Sequence, residues 1–542
     1  MAAQVTNEGK PISWKLKLQQ TKAVQTIKLP SFDLKAIQEE DKVNDKLQAK
    51  PWRFGYKHTV DFGLENSGLW TELSNGDRVW RILFESKGAL SLNFIFDKFF
   101  MPQGGKVYLY NEDRSDLLGA YTDIQNQISG TLGTWLVKGD KVWIEYFEPK
   151  KVKGQGKLHI ANATHGYRLG HDYQKGYFND EEKALNDSGD CNHDVDCPIG
   201  SDWEQHKGLN KRSVAMILVG GSGICSGALI NNTNNNQIPY FLTANHCLGG
   251  NLNNWAFRFG WISPNPVCAA TTTSTNGPTN MSISGATLRA NNSNSDVALL
   301  ELNGTIPDDW DRVWAGWDRT DVAPSFVVGI HHPEGDIMKI CRDDNVPIKI
   351  AQNAGGSSPV AQTWDITTAG GGWELGVTEV GSSGSALFDP NGRIIGQLYG
   401  GGAGCAGTND NDLHDFYGRF GISWDSGSIA STRLNDWLDP LGTNPNTLDA
   451  LDTALAINDE TLERNITVFP NPTSGAIQIK VKNWISDFEY EIYNTLGQVV
   501  RLNKLQNNEI IDLGNLSSDI YFIKITEIDT NRSIVKKIVL DK

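Results

Sequence analysis

The sequence predicts a mainly β chain of several domains, and three observations carry that prediction. Gly reaches 55, and Trp, Tyr and Phe number 17, 14 and 20; aromatic residues favour strands and glycine favours the turns between them. Apolar residues recur at a period of two, and long heptads are absent. All seven cysteines fall between Cys191 and Cys405, with cysteine-free regions on either side. A length of 542 residues suits roughly three or four domains, each able to bury a core. Cysteines confined in this way point to a disulfide-bonded, exported domain between two disulfide-free ones.

The formal net charge is −15 and no basic cluster stands out. An acidic chain of this kind is a poor partner for nucleic acid or an anionic membrane. The longest apolar stretches, such as Val214–Val219, are far too short to form a transmembrane segment. Residues 1–15 lack the basic end and apolar core of a signal peptide. The expectation is that an export signal has been removed.

Residues 1–185 are expected to be a prodomain. Up to about residue 50 the pattern is charged and loose, with Leu34, Ile37, Val43 and Leu47 placed to line one face of a short helix. From Trp52 to about His165 the period becomes two. Leu90, Leu92, Phe94 and Phe96 alternate with Ser91, Asn93 and Ile95, and Val107, Leu109, Val142, Ile144 and Tyr146 continue the pattern between Gly, Asn and Asp turns. That reads as an antiparallel β-sandwich. His58, His159 and His165 stand alone and read as structural or surface histidines. Residues 175–190 are polar and charged, an exposed linker suited to proteolysis. The processing bond is expected at Lys183-Ala184.

Residues 186–442 carry the chemistry. Three short motifs lie in the order His, Asp, Ser. Thr243-Ala244-Asn245-His246-Cys247 ends an apolar run, Asp296-Val297-Ala298-Leu299-Leu300 opens another, and Gly381-Ser382-Ser383-Gly384-Ser385 reads as a tight turn. Singly, each has a plain structural explanation: an Asp that caps a strand, a core histidine, an ordinary Gly/Ser loop. Together they fit a nucleophilic serine, a base and an orienting carboxylate. The order and the motifs resemble chymotrypsin-like serine proteases, TANHC standing for their TAAHC, DVALL for DIALL and GSSGS for GDSGG. The resemblance implies a double β-barrel in which Ser383 is the nucleophile, His246 the general base and Asp296 its orienter. The N–H groups of Gly381 and Ser383 would form the oxyanion hole. Residues 431–438 look like a closing amphipathic helix.

The likeness extends to the lysyl endopeptidases. The runs GVTEVGSSGSALF, GQLYGGGAGC and DFYGRFGISW, and six of the cysteines, match that family over the whole central region. It implies the pairs Cys191–Cys405, Cys197–Cys268 and Cys225–Cys247, among which spacing alone cannot choose. Cys341 is left over, as a buried free thiol or an intermolecular partner. Closing the loop of about 20 residues at Cys225–Cys247 should contribute about 3 kcal/mol.

Cleavage after a cationic residue needs a buried carboxylate at the end of a slot. Glu374, Glu379, Asp410, Asp412 and Asp415 are candidates, and the family match selects Asp415, with Tyr399, Gly400 and Gly401 as the facing edge for the substrate backbone. Read without the family, an Asp415 paired with a surface arginine is equally plausible. Specificity for Arg or Glu, or a non-catalytic protease-like adhesin, are the alternative functions. His331 and His332 would point to opposite faces of a strand, so no metal is expected, and no cofactor.

Residues 443–465 read as a polar linker. In residues 466–542, Ile477, Ile479 and Val481 alternate, and later apolar runs follow, which reads as a small Cys-free β-sandwich. FPNPTSG, YNTLGQ, IYFIKI and a basic end resemble the C-terminal sorting domain of type IX secretion substrates. The likeness implies a secreted or cell-surface protein of a Gram-negative bacterium. The expected partners are polypeptide substrates, the chain's own propeptide and the type IX secretion machinery.

Overall fold

The computed structural model describes residues 9–16, 24–47, 50–168, 188–277, 281–353, 358–366, 372–452, 465–482, 487–495, 497–506, 509–528 and 532–542. The chain divides into two compact units, Met1–Leu451 and Asp452–Lys542.

The N-terminal part of the first unit is the expected sandwich. One sheet runs in the order Thr26–Lys28, Arg78–Glu85, Lys141–Glu148, Lys106–Asn111 and Leu117–Tyr121, and the other in the order Val137–Lys138, Ser91–Phe100, Lys157–Gly166 and Gly55–Gly63. Cross-strand partners such as Ile82, Ile144 and Leu109 stack in register and fill the core with Trp80, Phe84, Phe94 and Phe96. Alternation in Ser91–Phe100 reports only half of what is buried. Leu92, Phe94 and Phe96 face the sandwich core, yet Ser91, Asn93 and Ile95 are buried as well. Here the neighbouring barrel approaches: the Asn93 amide donates to the Gly221 carbonyl at 3.0 Å. Met216, Leu218, Ile224, Ala256 and Trp261 of the central region belong to the same core. At roughly 1.5–3 kcal/mol per fully buried large apolar side chain, this shared core joins the N-terminal domain firmly to its neighbour.

The loose pattern near residue 40 is a full helix, Leu34–Leu47. The Asp33 carboxylate accepts the Ala36 N–H at 3.0 Å, as a helix cap does. The expected apolar face is only partly used: Leu34 and Ile37 are half-buried, while Val43 is 59% exposed. Polar contacts anchor the helix instead. Asp41 is buried and receives Arg53 Nε at 2.7 Å and the Tyr167 hydroxyl at 2.5 Å.

The central region is built on two large sheets, one for each barrel of the expected double-barrel architecture. The first sheet runs Ser282–Ser284, Ala256–Phe259, Val214–Val219, Gly223–Leu229, Tyr240–Ala244, Val297–Leu302, Ala286–Asn292. The second runs His193–Asp194, Lys339–Asp343, Val327–His331, Ala386–Phe388, Ile394–Gly401, Asp415–Arg419, Ala361–Ile366, Ile348–Gln352. Between them lies a core that includes Val214, Leu242, Leu299, Val328, Ile330 and Phe388. Two expectations are corrected. The closing helix is one turn, Asn435–Leu438, after a 3₁₀ turn at Ala430–Thr432; Leu434 and Leu438 are buried in the core and Trp437 packs against it. The linker is partly structured: Thr447–Leu448 pairs with Trp317–Asp318, and Leu451 packs on the first barrel.

The second unit is a sandwich of two antiparallel sheets. Ile466–Phe469, Ala476–Val481 and Ile510–Asp512 form one, and Val499–Leu505, Phe488–Tyr493, Asp519–Glu527 and Arg532–Leu540 the other. Ile477, Ile479 and Val481 are buried, as their alternation indicates.

Candidate active site

Strand pairing brings His246 and Asp296 together. Tyr240–Ala244 is wholly buried and pairs with Val297–Leu302, Ala244 opposite Val297. His246 lies in the 3₁₀ turn that follows the first strand, and Asp296 immediately precedes the second. One carboxylate oxygen of Asp296 accepts the His246 backbone N–H at 2.9 Å, and the other lies 2.7 Å from Nδ1. Asp296 adopts φ +53°, a conformation that costs on the order of 1 kcal/mol in a non-glycine residue. Its carbonyl accepts the Asn245 N–H at 2.7 Å, which helps to hold it there. Burial pushes the Asp296 carboxyl up, and His246 opposes that. Nε2 of His246 is buried without a hydrogen-bond partner among the described residues. Ser383 therefore does not yet bond to it, which is common before substrate closes a site.

The turn carrying Ser383 is fastened to both barrels. Ser226 N–H donates to the Ser383 carbonyl at 2.8 Å, the Ser226 hydroxyl to the Gly381 carbonyl at 3.0 Å, and Gly384 N–H to the Leu398 carbonyl at 2.9 Å. Gly384 has φ +82°, and a Cβ there would come within 2.2 Å of Thr243 Oγ1, so only glycine lets the turn approach the histidine strand. Among the described residues, the N–H groups of Gly381 and Ser383 meet no acceptor. Behind the turn, Ser382 is fully buried. Its hydroxyl lies 2.8 Å from His331 Nδ1 and accepts the Glu379 N–H at 3.3 Å. The Glu379 carboxylate in turn accepts Gly189 N–H at 2.9 Å and the Asn192 amide at 2.8 Å.

Asp415 opens the strand Asp415–Arg419, paired with Gly401 on one side and Ile366 on the other. It is 1% exposed. Its Oδ2 accepts Thr378 Oγ1–H at 2.6 Å and Trp373 Nε1–H at 2.9 Å, while Oδ1 has no partner among the described residues. A Cβ on Gly401 would stand 2.3 Å from Oδ1, so that glycine leaves the oxygen open. No cation pairs with Asp415 among the described residues, which removes the surface-arginine explanation. Burial without a counter-charge pushes its carboxyl up to about 7. Tyr399 lies against the histidine, ring centroids 6.0 Å apart, and its hydroxyl donates to the Pro359 carbonyl. Gly400 and Gly401 follow it on the same strand. Cys341 is a buried free thiol near Asp415, pushed well up by burial.

The other acidic candidates are engaged elsewhere. Glu374 accepts the Asp344 N–H and the Asn345 amide, and Asp410 accepts the Trp373 and Asp412 N–H groups. Three disulfides join Cys191 to Cys405, Cys197 to Cys268 and Cys225 to Cys247. Lys183 and Ala184 lie outside the described residues. Sequence reasoning missed the parts played by Ser382, His331, Thr378 and Trp373. The HHP run at residue 331 was the one visible signal, and it named no partner.

In chain order the site presents His246, bonded to Asp296, and then the turn that carries Ser383. The comparisons with known proteins bear on this arrangement. Residues 185–418 match the family described as lysyl endopeptidase, C-terminal domain, and residues 467–541 match the secretion system C-terminal sorting domain. The chain is 27% identical over 296 residues to a lysyl endopeptidase of Pseudomonas aeruginosa, a match that takes in 53% of this chain and 60% of that protein's length. A crystal structure of an inactive form of Rv3671c from M. tuberculosis aligns with 41% of this chain and 90% of its own, at 16% identity and a TM-score of 0.26. The sorting domain marks the protein as secreted or held at the cell surface. Among the described residues no helix is long and apolar enough to cross a membrane.

Proposed function

We propose that the protein is a secreted serine endopeptidase that cleaves after lysine and is made as a proenzyme. The observation that carries this reading is Asp415: a buried carboxylate that forms no ion pair among the described residues and whose Oδ1 lacks a hydrogen-bond partner there, one strand away from the edge at Gly401. Such a group is costly unless a ligand supplies the charge. It attracts an ammonium or guanidinium and repels a glutamyl side chain.

In the proposed reaction the substrate carbonyl lies over Ser383. His246 Nε2 takes the hydroxyl proton as Oγ attacks, and later gives it to the leaving amine. Asp296, bonded to Nδ1, fixes the tautomer and stabilises the imidazolium. The oxyanion falls to the N–H groups of Gly381 and Ser383, each such donor being worth roughly 10²–10³ in rate. No metal or cofactor takes part in these steps. Export is proposed to run through the type IX machinery of a Gram-negative bacterium, on the strength of the C-terminal match.

Two phosphonate reagents test the reading on processed protein, one bearing a lysyl and one a glutamyl side chain. The expected result is rapid labelling of Ser383 by the lysyl reagent alone. Absence of labelling, or labelling by the glutamyl reagent, would overturn it.

A further inference from the structure

The N-terminal domain places a strand beside His246. Trp52–Arg53 pairs antiparallel with the start of Gly223–Leu229, Arg53 opposite Gly223 and Trp52 opposite Ile224. Phe54 N–H extends the ladder to the Ser222 carbonyl at 2.9 Å. The next residue along that edge, Cys225, is bonded to Cys247, the neighbour of His246. Between the two domains lies a cleft of about 580 Å³, walled by Gly220, His246 and Leu248 on one side and by Glu40, Arg53 and Lys57 on the other.

We infer that this strand occupies the edge on which the substrate chain beyond the scissile bond would lie, so that the N-terminal domain closes the leaving-group side of the site alone. The inference rests on the protease reading above. If the lysyl side chain enters toward Asp415, the chain beyond the cleaved bond must leave on the opposite side of Ser383 and His246. That is the side of Gly220, Gly223 and Leu248. An exposed sheet edge there recognises an extended polypeptide through backbone hydrogen bonds, whatever its side chains. Trp52–Arg53 already makes those bonds.

The strand cannot come away by itself. Arg53 is held by the buried Asp41, and Trp52 is 7% exposed under the Arg168 guanidinium, 4.6 Å from its ring centroid. Both belong to the domain whose core takes in much of the first barrel and, beyond it, Ile337 and Val380. The domain's other named bonds to the central region fall at Gly221, Ser284 and Asn303, all on the first-barrel side. None of them reaches Ile394–Gly401 or Asp415–Arg419. The uncleaved chain should therefore admit a small lysyl reagent and refuse a long peptide.

The test compares full-length chain, its integrity checked by mass spectrometry, with processed protein. One probe is a small lysyl phosphonate whose phosphorus bears only a small leaving group, fluoride, displaced by the Ser383 hydroxyl, and no peptide beyond it; the other is a peptide with one lysine followed by four residues. Ser383 of the full-length chain should react with the phosphonate within about tenfold of the processed rate, while peptide cleavage falls by about a hundredfold or more, the fraction of chains with the strand released setting the loss. Equal suppression of both probes would overturn the inference, because the whole site would then be closed or unformed. Equal cleavage of the peptide by both forms would overturn it as well. A processed protein that takes neither probe would instead overturn the protease reading, and the inference with it.

Discussion

The Ser382 hydroxyl and Nδ1 of His331 lie 2.8 Å apart, both side chains fully buried directly behind the turn that carries Ser383. The hydroxyl also accepts from Glu379 N–H at 3.3 Å, so it joins the buried imidazole to the backbone of the turn. Burial keeps this ring neutral by pushing it down to about 3. The second residue of the GDSGG motif is an aspartate; at the corresponding position here stands Ser382, and an uncharged pair holds the turn.

Ser382→Ala should therefore cost about 1–3 kcal/mol of stability, because it leaves a buried imidazole nitrogen unpaired. The loss should shrink in a His331→Phe background, where the nitrogen is absent. Denaturant unfolding of the four proteins of this cycle measures the coupling, and additive losses would deny it.

Asp415 gives a pH dependence whose sign is fixed. Its carboxyl is raised from 3.8 to about 7. A raised folded value means that the protonated form is the one the free protein favours. The associated stability is present in full below about 3.8 and is lost as pH rises through about 7. Binding of a lysyl inhibitor has the opposite trend, since it needs the ionised form and should strengthen through the same window. Thermal unfolding and inhibitor titration between pH 4 and 9 check both trends, and Asp415→Asn should flatten both.

Removing Cys225 and Cys247 together should destabilise the first barrel by roughly 2–5 kcal/mol. The bond ties the strand Gly223–Leu229 to the turn that holds His246. Equal denaturant midpoints for the variant and the parent protein would contradict this.

Processing is expected near Ala184, and the fold suggests why the cut falls before Ser188. From there on the chain is anchored: Ser188 N–H and hydroxyl both donate to Asp336, at 3.1 and 2.6 Å, and Gly189 N–H to Glu379. N-terminal sequencing should find a start before Ser188. A Ser383→Ala chain that is processed identically when pure would rule out self-cleavage.

Much of this was legible in the sequence because it rests on local pattern. Period-two alternation located the strands around Phe94, Ile144 and Ile479, and the three collinear motifs located His246, Asp296 and Ser383. What stayed hidden depends on contacts between distant residues. No periodicity shows that Asn93 and Ile95 face a second domain. Nor does any spacing tell that Ser382 meets His331, 51 residues away, or that Thr378 and Trp373 hold Asp415. The helix Leu34–Leu47 was obscured because acidic anchors, Asp41 above all, do the work that an apolar face usually does. Thr447–Leu448 looked like linker because a two-residue strand is too short to show alternation.

The cleaved bonds themselves test the central claim most directly. Processed protein is incubated with an unfolded polypeptide of known sequence, and the new termini are read by mass spectrometry. Cleavage after a residue that Asp415 can neutralise predicts new C-termini at lysine, lost when Asp415 is replaced by asparagine while Ser383 still reacts with a small neutral acylating agent. New C-termini at glutamate, or lysyl cleavage undiminished in the Asp415→Asn protein, would contradict it.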